Sequence, residues 1–425
     1  MTVFIFISSL LGAMSLGMPI AFALMVCGVA LMVHIDMFDA QVLAQNLVDG
    51  ADSYPLMAVP FFLLAGELMN AGGLSRRIVD AVMSMIGHVR GGLGYVAVIA
   101  AFLLASLSGS AIADTAALAA LLVPMMRDAG YNQGRSAGLL AAGGIIAPVI
   151  PPSIGLVLFG AVAGVSVSKL FIAGLVPGVL MAISLIVTWW WLCRKEAPAP
   201  RPRESAAVRL RTIREAGWAM LLPVIIIVGV KFGVFTPTEA GVVAAVCAAL
   251  VGMFAYRELT LAKLYESMIN AARVSAVVMF LVAAALISAW LITVANIPDE
   301  LIALLQPFIN RPVLLMIVMQ LIVLVVGTAL DFTPTILILT PVLMPLVKQA
   351  GIDPVYFGVL FIMNNAIGLL TPPVGNVLNV VCSVGKVRMD DVIRGVLPFL
   401  YAETVVLLLM CVFPQLMLGP LRWIH

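Results

Sequence analysis

The chain has 425 residues, of which 63% are hydrophobic and only 10% are charged, and its formal net charge is +2. A typical globular domain has about 25% charged residues, so this composition excludes a soluble globular protein. The small net charge gives no indication of a nucleic-acid partner. Apolar runs long enough to span a membrane recur along the chain, which predicts an all-α polytopic membrane protein rather than a transmembrane β-barrel.

The N-terminal segment, residues 2–33, lacks the basic region and cleavage site of a signal peptide, and we interpret it as membrane-embedded, crossing either once or twice. Residues 34–54 contain four aspartates and no lysine or arginine. Because lysine and arginine accumulate in cytoplasmic loops, we predict that this stretch is a loop on the outer side. Residues 55–73 are then expected to cross inward towards Arg76 and Arg77.

Residues 91–126 form an apolar run that is interrupted at its centre by Ser108, Gly109 and Ser110. A straight helix of this length would measure about 54 Å, against a hydrocarbon core of about 30 Å. Two complete crossings would need about 40 apolar residues. We therefore predict a re-entrant hairpin with its turn near the middle of the membrane, where irregular backbone is tolerated only if it lines a protein cavity.

The next segment, residues 136–166, is predicted to cross the membrane with a break at 147–155, where the sequence reads APVIPPSIG. Residues 170–193 are expected to return to the cytoplasmic side. They end in consecutive tryptophans from Trp189 to Trp191, which we interpret as an aromatic belt at the membrane interface.

A basic, proline-containing stretch at 194–215 lies in the middle of the chain and has seven lysine and arginine residues. These charges predict a cytoplasmic position, and the prolines predict irregular structure. We expect this loop to divide the chain into a first half, residues 1–193, and a second half, residues 216–425.

The second half has the same features as the first. A second hairpin is predicted at 312–347, with GTALDFTPT at its turn, and a second broken helix at 355–385, interrupted by LLTPPVG. Pro151 and Pro372 are 221 positions apart, and other prolines and glycines have the same spacing. The remaining crossings are predicted at 217–235, 239–256, 271–295 and 396–418.

The charge map places one hairpin on the inside and its counterpart on the outside, which predicts an inverted repeat. Inverted repeats with paired broken segments are typical of secondary transporters, whose binding site lies where the broken segments meet. An alternative interpretation is that proline and glycine only kink packed helices. Four interruptions at matched positions favour the transporter interpretation.

Turns and helix breaks leave backbone groups without partners in a medium of low dielectric constant. A sodium ion satisfies free carbonyl oxygens, and helix N-termini satisfy a bound carboxylate. The predicted sodium-binding residues are those with free carbonyls, hydroxyls or carboxylates in the turns and breaks: Ser108, Gly109, Ser110, Asp114, Gly327, Thr328, Asp331, Pro151 and Thr371.

The carboxylates at the turns have an alternative role as helix caps. Ion binding is favoured for Asp331, which lies within its turn, whereas ligation and capping fit the position of Asp114 equally well. Thr333, Pro334 and Thr335 are predicted to form the outer turn, with Thr335 as the N-cap.

Other polar residues near the breaks are candidates for substrate binding. Glu67 is a carboxylate within an apolar segment, which marks a functional candidate, although a structural hydrogen bond explains it equally well. Asn376 and Asn379 share a helix face, which suits either a substrate path or hydrogen bonding between helices. The full set of substrate-binding candidates is Ser153, Thr333, Thr335, Pro372, Asn376, Asn379 and Glu67.

The SGS turn, the GTALDFTPT turn and the PPS and TPP breaks resemble, over essentially the whole chain, the large membrane subunit of tripartite ATP-independent periplasmic (TRAP) transporters. Among these, the chain is most similar in appearance to enterobacterial sugar-acid and keto-acid permeases. The resemblance implies sodium-driven import of a carboxylate, that is a sugar acid, a keto acid or a dicarboxylate, through the bacterial inner membrane. It also implies a periplasmic substrate-binding protein, a small four-helix membrane subunit, and an elevator-type movement like that of divalent anion/sodium symporters.

No Walker A motif, nucleophile–base pair or metal motif is present in the sequence. We therefore predict no catalytic residues, no enzymatic activity and no cofactor other than Na⁺ as the coupling ion, and we expect the partners to be separate chains. A standalone proton- or sodium-coupled organic-anion exchanger is the alternative, with Glu67, Asp114 and Asp331 as carriers. A channel or an assembly scaffold is a further alternative, which the matched broken repeats disfavour.

Overall fold

The computed structural model describes residues 2–196, 198, 202–295, 308–372 and 374–424. Over these residues the regular structure is entirely helical, without strands, which confirms the predicted all-α class. The helices are α1 (Thr2–Ser15), α2 (Ile20–His34), α3 (Ala40–Ala51), α4 (Ala58–Ala71), α5 (Leu74–Ile86), α6 (Gly92–Ser108), α7 (Ala111–Asp128), α8 (Gln133–Gly144), α9 (Ile154–Ala163), α10 (Val167–Glu196), α11 (Ala206–Lys231), α12 (Pro237–Leu250), α13 (Leu261–Val294), α14 (Pro312–Ala329), α15 (Phe332–Gln349), α16 (Pro354–Gly368), α17 (Asn376–Gly385), α18 (Met389–Val412) and α19 (Gln415–Ile424).

Seven helical segments of the described chain are long and apolar enough to cross a membrane. Their lengths of 18 to 34 residues amount to about 27 to 51 Å at 1.5 Å per residue, which approximately matches or exceeds a hydrocarbon core of about 30 Å. Multiple crossings of a membrane follow from this composition. The segments are Tyr54–Ala71, Val167–Arg194, Ala206–Lys231, Pro237–Ala255, Leu261–Val294, Phe332–Gln349 and Met389–Val412.

The N-terminal region contains more helical structure than the sequence predicted. The segment 2–33 forms two helices, α1 and α2, which pack against each other and are separated by a turn at Gly17 with a φ of 79°. The stretch 34–54, predicted as a loop, contains α3, and its position on the outer side stays a prediction. The Asp39 side chain caps α3 by accepting a hydrogen bond of 2.7 Å from the backbone N–H of Gln41, and α3 packs against α13.

The basic stretch in the middle of the chain is less irregular than predicted. Helix α10 continues through Glu196, and α11 already begins at Ala206. Ser205 starts α11 by accepting a hydrogen bond from the backbone N–H of Val208. Residues 206–215 are therefore helical, because a side-chain cap and strong helix formers outweigh the prolines that precede them.

Each predicted hairpin consists of two helices joined by a very short turn. Only Gly109 and Ser110 separate α6 from α7, and only Leu330 and Asp331 separate α14 from α15. Within each pair the two helices pack against each other. The turns thus lie in the two polar interruptions, SGS and GTALDFTPT, that the sequence indicated.

Both predicted helix breaks are present. The first separates α8 from α9, between Gly144 and Ile154, and the second separates α16 from α17, between Gly368 and Asn376. Helices α9 and α17 contain 10 residues each, which corresponds to about 15 Å, or half of a hydrocarbon core. Each is long enough to reach from a membrane surface only to the middle.

The order and spacing of these elements repeat. Helices α7 and α15 both contain 18 residues and begin 221 positions apart, at Ala111 and Phe332. Helices α8 and α16, which begin at Gln133 and Pro354, have the same spacing. The structure contains no membrane, so the inverted orientation of the two halves stays a prediction.

The two halves interlock through their helices. Helix α8 of the first half packs along α18 of the second, and α16 of the second half packs along α10 of the first. The contact between α8 and α18 is a backbone contact, because a Cβ atom on Gly395 would collide with the carbonyl oxygen of Gly134. Small residues of this kind allow membrane helices to approach closely.

The three consecutive tryptophans do not share one environment, so the prediction of a common aromatic belt is wrong for Trp189. Its side chain is 2% exposed, and its indole Nε1–H donates a 2.9 Å hydrogen bond to the carbonyl oxygen of Gly91. It also stacks on Tyr131 and Phe399. Only Trp190 and Trp191 are exposed, at 48% and 66%, because Trp189 points to the opposite side of α10.

Candidate functional site

The two hairpin turns meet at one cavity of about 180 Å³. The first turn contributes Gly109 and Ser110, and the second contributes Asp331 and Thr333. The remaining lining residues come from the starts of α7, α9 and α15, from the two breaks, and from an apolar wall on α4 and α13: Ala111, Ile112, Ile154, Phe332, Pro148, Leu369, Leu63, Val274 and Val278. Segments far apart in sequence thus form a single site.

The first turn is fixed by its own polar side chains. The Ser108 hydroxyl accepts a 3.1 Å hydrogen bond from the backbone N–H of Ser110 and donates one to the Asp114 carboxylate. The Ser110 hydroxyl accepts from the backbone N–H of Ala113 and so caps α7. The N-cap of α7 is therefore Ser110, which leaves the Asp114 carboxylate for another role.

Gly109 joins these two serines in the left-handed backbone region, with a φ of 61°. Only glycine adopts this conformation without strain. A Cβ atom at this position would lie 2.7 Å from the carbonyl oxygen of Pro152 and 3.0 Å from the Cα of Ser153. The first turn thus packs directly on the backbone of the first break.

Asp114 is a buried carboxylate in the first turn of α7, with 4% of its surface exposed. One of its oxygens, Oδ2, has no hydrogen-bond partner among the described residues. The next residue, Thr115, is fully buried and its hydroxyl has no partner among them either. Buried oxygens without partners are rare in folded proteins, and oxygen atoms are the ligands that hard cations prefer. These two oxygens fit a role in cation binding.

The second turn is organised around Asp331, which caps α15. Its carboxylate accepts a 2.8 Å hydrogen bond from the backbone N–H of Phe332 and a 3.0 Å hydrogen bond from the Asn376 side chain. Helix α15 therefore starts at Phe332, and the prediction of Thr335 as the N-cap is wrong. Thr333 and Pro334 lie within the first turn of α15, where proline is tolerated because its missing N–H has no helical acceptor.

Asn365 is a residue of this site that was not among the predicted site residues. It is fully buried on α16, and its side-chain N–H group donates a 2.8 Å hydrogen bond to the carbonyl oxygen of Phe332. Its Oδ1 has no partner among the described residues and faces Gly327, where a Cβ would lie 3.2 Å away. Its position near the end of α16, shortly before the TPP break, is the one sequence feature that could have pointed to it.

The two turns resemble each other in backbone position but not in charge. The N-caps Ser110 and Asp331 are 221 positions apart, and so are Asp114 and Thr335. The carboxylate thus stands one helical turn after the cap in the first hairpin and at the cap itself in the second. Thr335 is fully buried, and its hydroxyl donates to the carbonyl oxygen of Asp331.

The remaining candidates lie around the cavity rather than in its lining. The Thr328 hydroxyl donates to the carbonyl oxygen of Val325 in its own helix, and the Thr371 hydroxyl, in the second break, donates to that of Ile367 in α16. The buried Ser153 caps α9 through the backbone N–H of Leu156. Pro151 and Pro372 lie within the breaks.

Asn379 and Glu67 lie further along their helices. The Asn379 side chain donates a 3.1 Å hydrogen bond to the carbonyl oxygen of Val374 at the start of α17. Glu67 is half-buried on α4, one helical turn beyond the lining residue Leu63. No structural hydrogen bond explains Glu67 within the described part of the chain.

Comparison with known proteins gives a consistent result. A family model described as the tripartite ATP-independent periplasmic transporter, DctM component, matches residues 7–416. The chain is 56% identical to the 2,3-diketo-L-gulonate TRAP transporter large permease protein YiaN of Escherichia coli (strain K12), with both chains covered completely. It is 38% identical to the sialic acid TRAP transporter large permease protein SiaM of Vibrio cholerae, with 95% of each chain covered.

Among solved structures, the chain is similar to the YdaH transporter of Alcanivorax borkumensis, whose crystal structure is described as having an unusual topology. The TM-score is 0.60, and the match covers 90% of this chain and 91% of the other. At 17% identity this similarity concerns the fold alone.

Proposed function

This chain belongs to the DctM-component family of tripartite ATP-independent periplasmic transporters and is a TRAP large permease; we propose that it couples the import of a carboxylate to the entry of sodium ions. The observation that carries the proposal is the meeting of both hairpin turns at one cavity, beside a buried carboxylate oxygen of Asp114 that has no partner among the described residues.

The cavity has features that suit an anionic substrate as well as a cation. The first turns of α7 and α15 both line it, so the partial positive charge of two helix N-termini faces the same space. A carboxylate is stabilised in such a position. The half-buried Thr333 also lines the cavity, and its hydroxyl group would bind a polar substrate group.

Sodium binding is assigned to oxygens in and beside the two turns. In the first hairpin these are the side chains of Ser108, Ser110, Asp114 and Thr115, and in the second they are those of Asp331 and Asn365. Carboxylate, hydroxyl and amide oxygens form the donor set of a hard cation. A cation at either position would fix the turn that borders the substrate cavity, so that the substrate site is complete only when sodium is bound.

We infer that the substrate is a sugar acid or a related keto acid. The named substrates of the two relatives, 2,3-diketo-L-gulonate and sialic acid, are both acids derived from sugars. Delivery by a periplasmic binding protein, assembly with a small four-helix membrane subunit and location in the bacterial inner membrane are parts of the same proposal.

The proposal is tested by uptake into proteoliposomes that contain the large and small membrane subunits. The binding protein, loaded with labelled 2,3-diketo-L-gulonate, is added outside, and an inward gradient of Na⁺ is compared with one of choline at fixed pH. We expect uptake only with Na⁺. Equal uptake in choline, or uptake driven by a pH gradient alone, would reject sodium coupling in favour of a proton-coupled exchanger.

A further inference from the structure

A polar cavity and an apolar groove adjoin each other at Arg394, far along the chain from the hairpin turns. The polar cavity has a volume of about 450 Å³ and the groove one of about 890 Å³, and Arg394 lines both. Its side chain is exposed on the second turn of α18. No carboxylate within the described ranges forms an ion pair with it.

The polar cavity has an excess of positive charge. It lies where α8 begins beside the first turns of α18, and its charged residues are Arg135, Asp391 and Arg394. Two guanidinium groups thus share the cavity with one carboxylate. The N-terminus of α8 adds partial positive charge at the same place. A singly or doubly charged anion is attracted to this combination.

The groove between α10 and α18 is almost entirely apolar. Among its lining side chains, Val187, Trp191 and Tyr401 are 55%, 66% and 66% exposed. The guanidinium group of Arg194 lies 4.0 Å from the ring centre of Trp190, at the same end of the groove as Arg394. One end of the groove is therefore basic and aromatic, and the rest is a surface for hydrocarbon.

We propose that this surface binds an anionic phospholipid. Its phosphate would lie in the polar cavity between Arg135 and Arg394, and one acyl chain would occupy the groove along α10 and α18. A molecule with a negatively charged head and an apolar tail matches a polar cavity that adjoins an apolar groove. A helix of another protein would cover the groove but leave the Arg394 guanidinium group without an anion. Basic pockets at the cytoplasmic ends of membrane helices bind anionic headgroups in this way.

Because α10 and α18 come from different halves of the chain, a bound lipid joins the two halves at their outer surface. The predicted orientation places Arg194 and Arg394 on the cytoplasmic side, in the membrane leaflet where anionic lipids attract basic residues. The proposal does not depend on sodium coupling or on the identity of the substrate, since neither involves these residues.

Native mass spectrometry of the delipidated membrane complex tests the proposal, with dioleoyl phosphatidylglycerol and dioleoyl phosphatidylcholine added at equal concentrations. We expect preferential retention of phosphatidylglycerol, and about fivefold weaker binding in Arg394→Gln for the loss of one charge. Arg388→Gln is the matched control, because Arg388 lies at the start of the same helix beside Asp390 at 3.8 Å and outside both cavities. Equal binding of the two lipids, or no effect of Arg394→Gln, would overturn the proposal.

A second variant, Ala402→Trp, fills the groove without changing charge. We expect it to weaken phosphatidylglycerol binding while leaving the sodium dependence of uptake unchanged. Soluble glycerol phosphate should not compete with the lipid; if it binds equally well, the site is one for free phosphate and the lipid assignment is wrong. Loss of the small subunit in Arg394→Gln with lipid retention unchanged would likewise overturn the proposal, because the surface would then be a subunit interface.

Discussion

Gly109 combines two constraints that a sequence does not display. Its backbone has a φ of 61°, and a Cβ would lie 2.7 Å from the carbonyl oxygen of Pro152. We expect Gly109→Ala to cost about 1–2 kcal/mol for the left-handed backbone alone and more for the collision, with a large loss of sodium-driven uptake. Gly164→Ala is the control, since Gly164 has a φ of 67° but no neighbouring atom within 4 Å of the position that a Cβ would take. Equal uptake by the two variants would show that contact with the break is unimportant.

Ser110 both caps α7 and lines the cavity. Comparing its replacement with the loss of a cap elsewhere therefore distinguishes an effect on helix stability from an effect on ion binding. We expect Ser110→Ala to raise the sodium concentration for half-maximal uptake by an amount equivalent to about 1–3 kcal/mol, the cost of one lost hydroxyl ligand. Ser205→Ala, which removes the cap of α11 away from the cavity, should leave the sodium dependence unchanged. A changed substrate affinity with an unchanged sodium dependence would assign Ser110 to the substrate instead.

Asp331 likewise has a matched counterpart in Asp353, which caps α16 by accepting a 2.7 Å hydrogen bond from the backbone N–H of Val355. We expect Asp331→Asn to shift the sodium dependence of uptake and to leave the order of preference among sugar acids unchanged. Asp353→Asn should do neither, because it removes only a helix cap. Sodium titration of uptake with a panel of acids distinguishes these outcomes, and a reordered panel in Asp331→Asn would contradict the ion-site assignment.

The sequence located the turn residues but not all of their roles. The turn at Ser108, Gly109 and Ser110 was identifiable because polar residues at the centre of an apolar membrane segment are energetically costly and usually have a function. The cap at Asp331 was an alternative that the sequence did not favour, because Pro334 suggested a longer turn, although the first turn of a helix accepts proline. The buried Asn365 and the fully buried Glu403, which accepts a hydrogen bond from Ser184, depend on which face of a helix is covered, and an entirely apolar helix does not reveal that.

At the level of elements, breaks were easier to predict than short helices. Proline removes a hydrogen bond in a helix interior and glycine weakens a helix, so the interruptions after Gly144 and Gly368, which contain paired prolines, followed from the sequence alone. Helix α3 did not, because it is stabilised by the Asp39 cap and by packing on α13, and tertiary packing outweighs composition in so short a helix. The helical structure of residues 206–215 was likewise not predicted, because it depends on the side-chain cap at Ser205.

The arrangement of the hairpins in the membrane gives a prediction at this scale. Single cysteines replacing Arg90 and Arg127 should both react with an impermeant thiol reagent from the cytoplasmic side, and those replacing Arg311 and Lys348 from the periplasmic side. The reason is that each hairpin returns to the surface from which it enters. The five native cysteines are first replaced so that the background is silent. Labelling of Arg90 and Arg127 positions from opposite sides would rule out the re-entrant hairpin.

For the whole molecule, we expect uptake to depend on the other components of the system. In liposomes with a sodium gradient, the large permease alone should transport free sugar acid far more slowly than the complete set with small subunit and loaded binding protein. The physical reason is that capture of a dilute substrate is proposed to occur on the binding protein. The control is the complete set of components without a sodium gradient. Equal rates of uptake with and without the small subunit and the binding protein would contradict the tripartite assignment.

The interlocking of α8 with α18 and of α16 with α10 has a mechanical consequence. Where Gly134 and Gly395 bring two backbones into direct contact, we expect the two helices to move as one body, because sliding would bring larger neighbouring residues into the closest contact. A sliding motion must therefore carry segments of both sequence halves together, and the midpoint of the chain is not a hinge. In the elevator-type movement that the resemblance implies, the moving part would therefore contain segments of both halves, and its boundary would run through each of them.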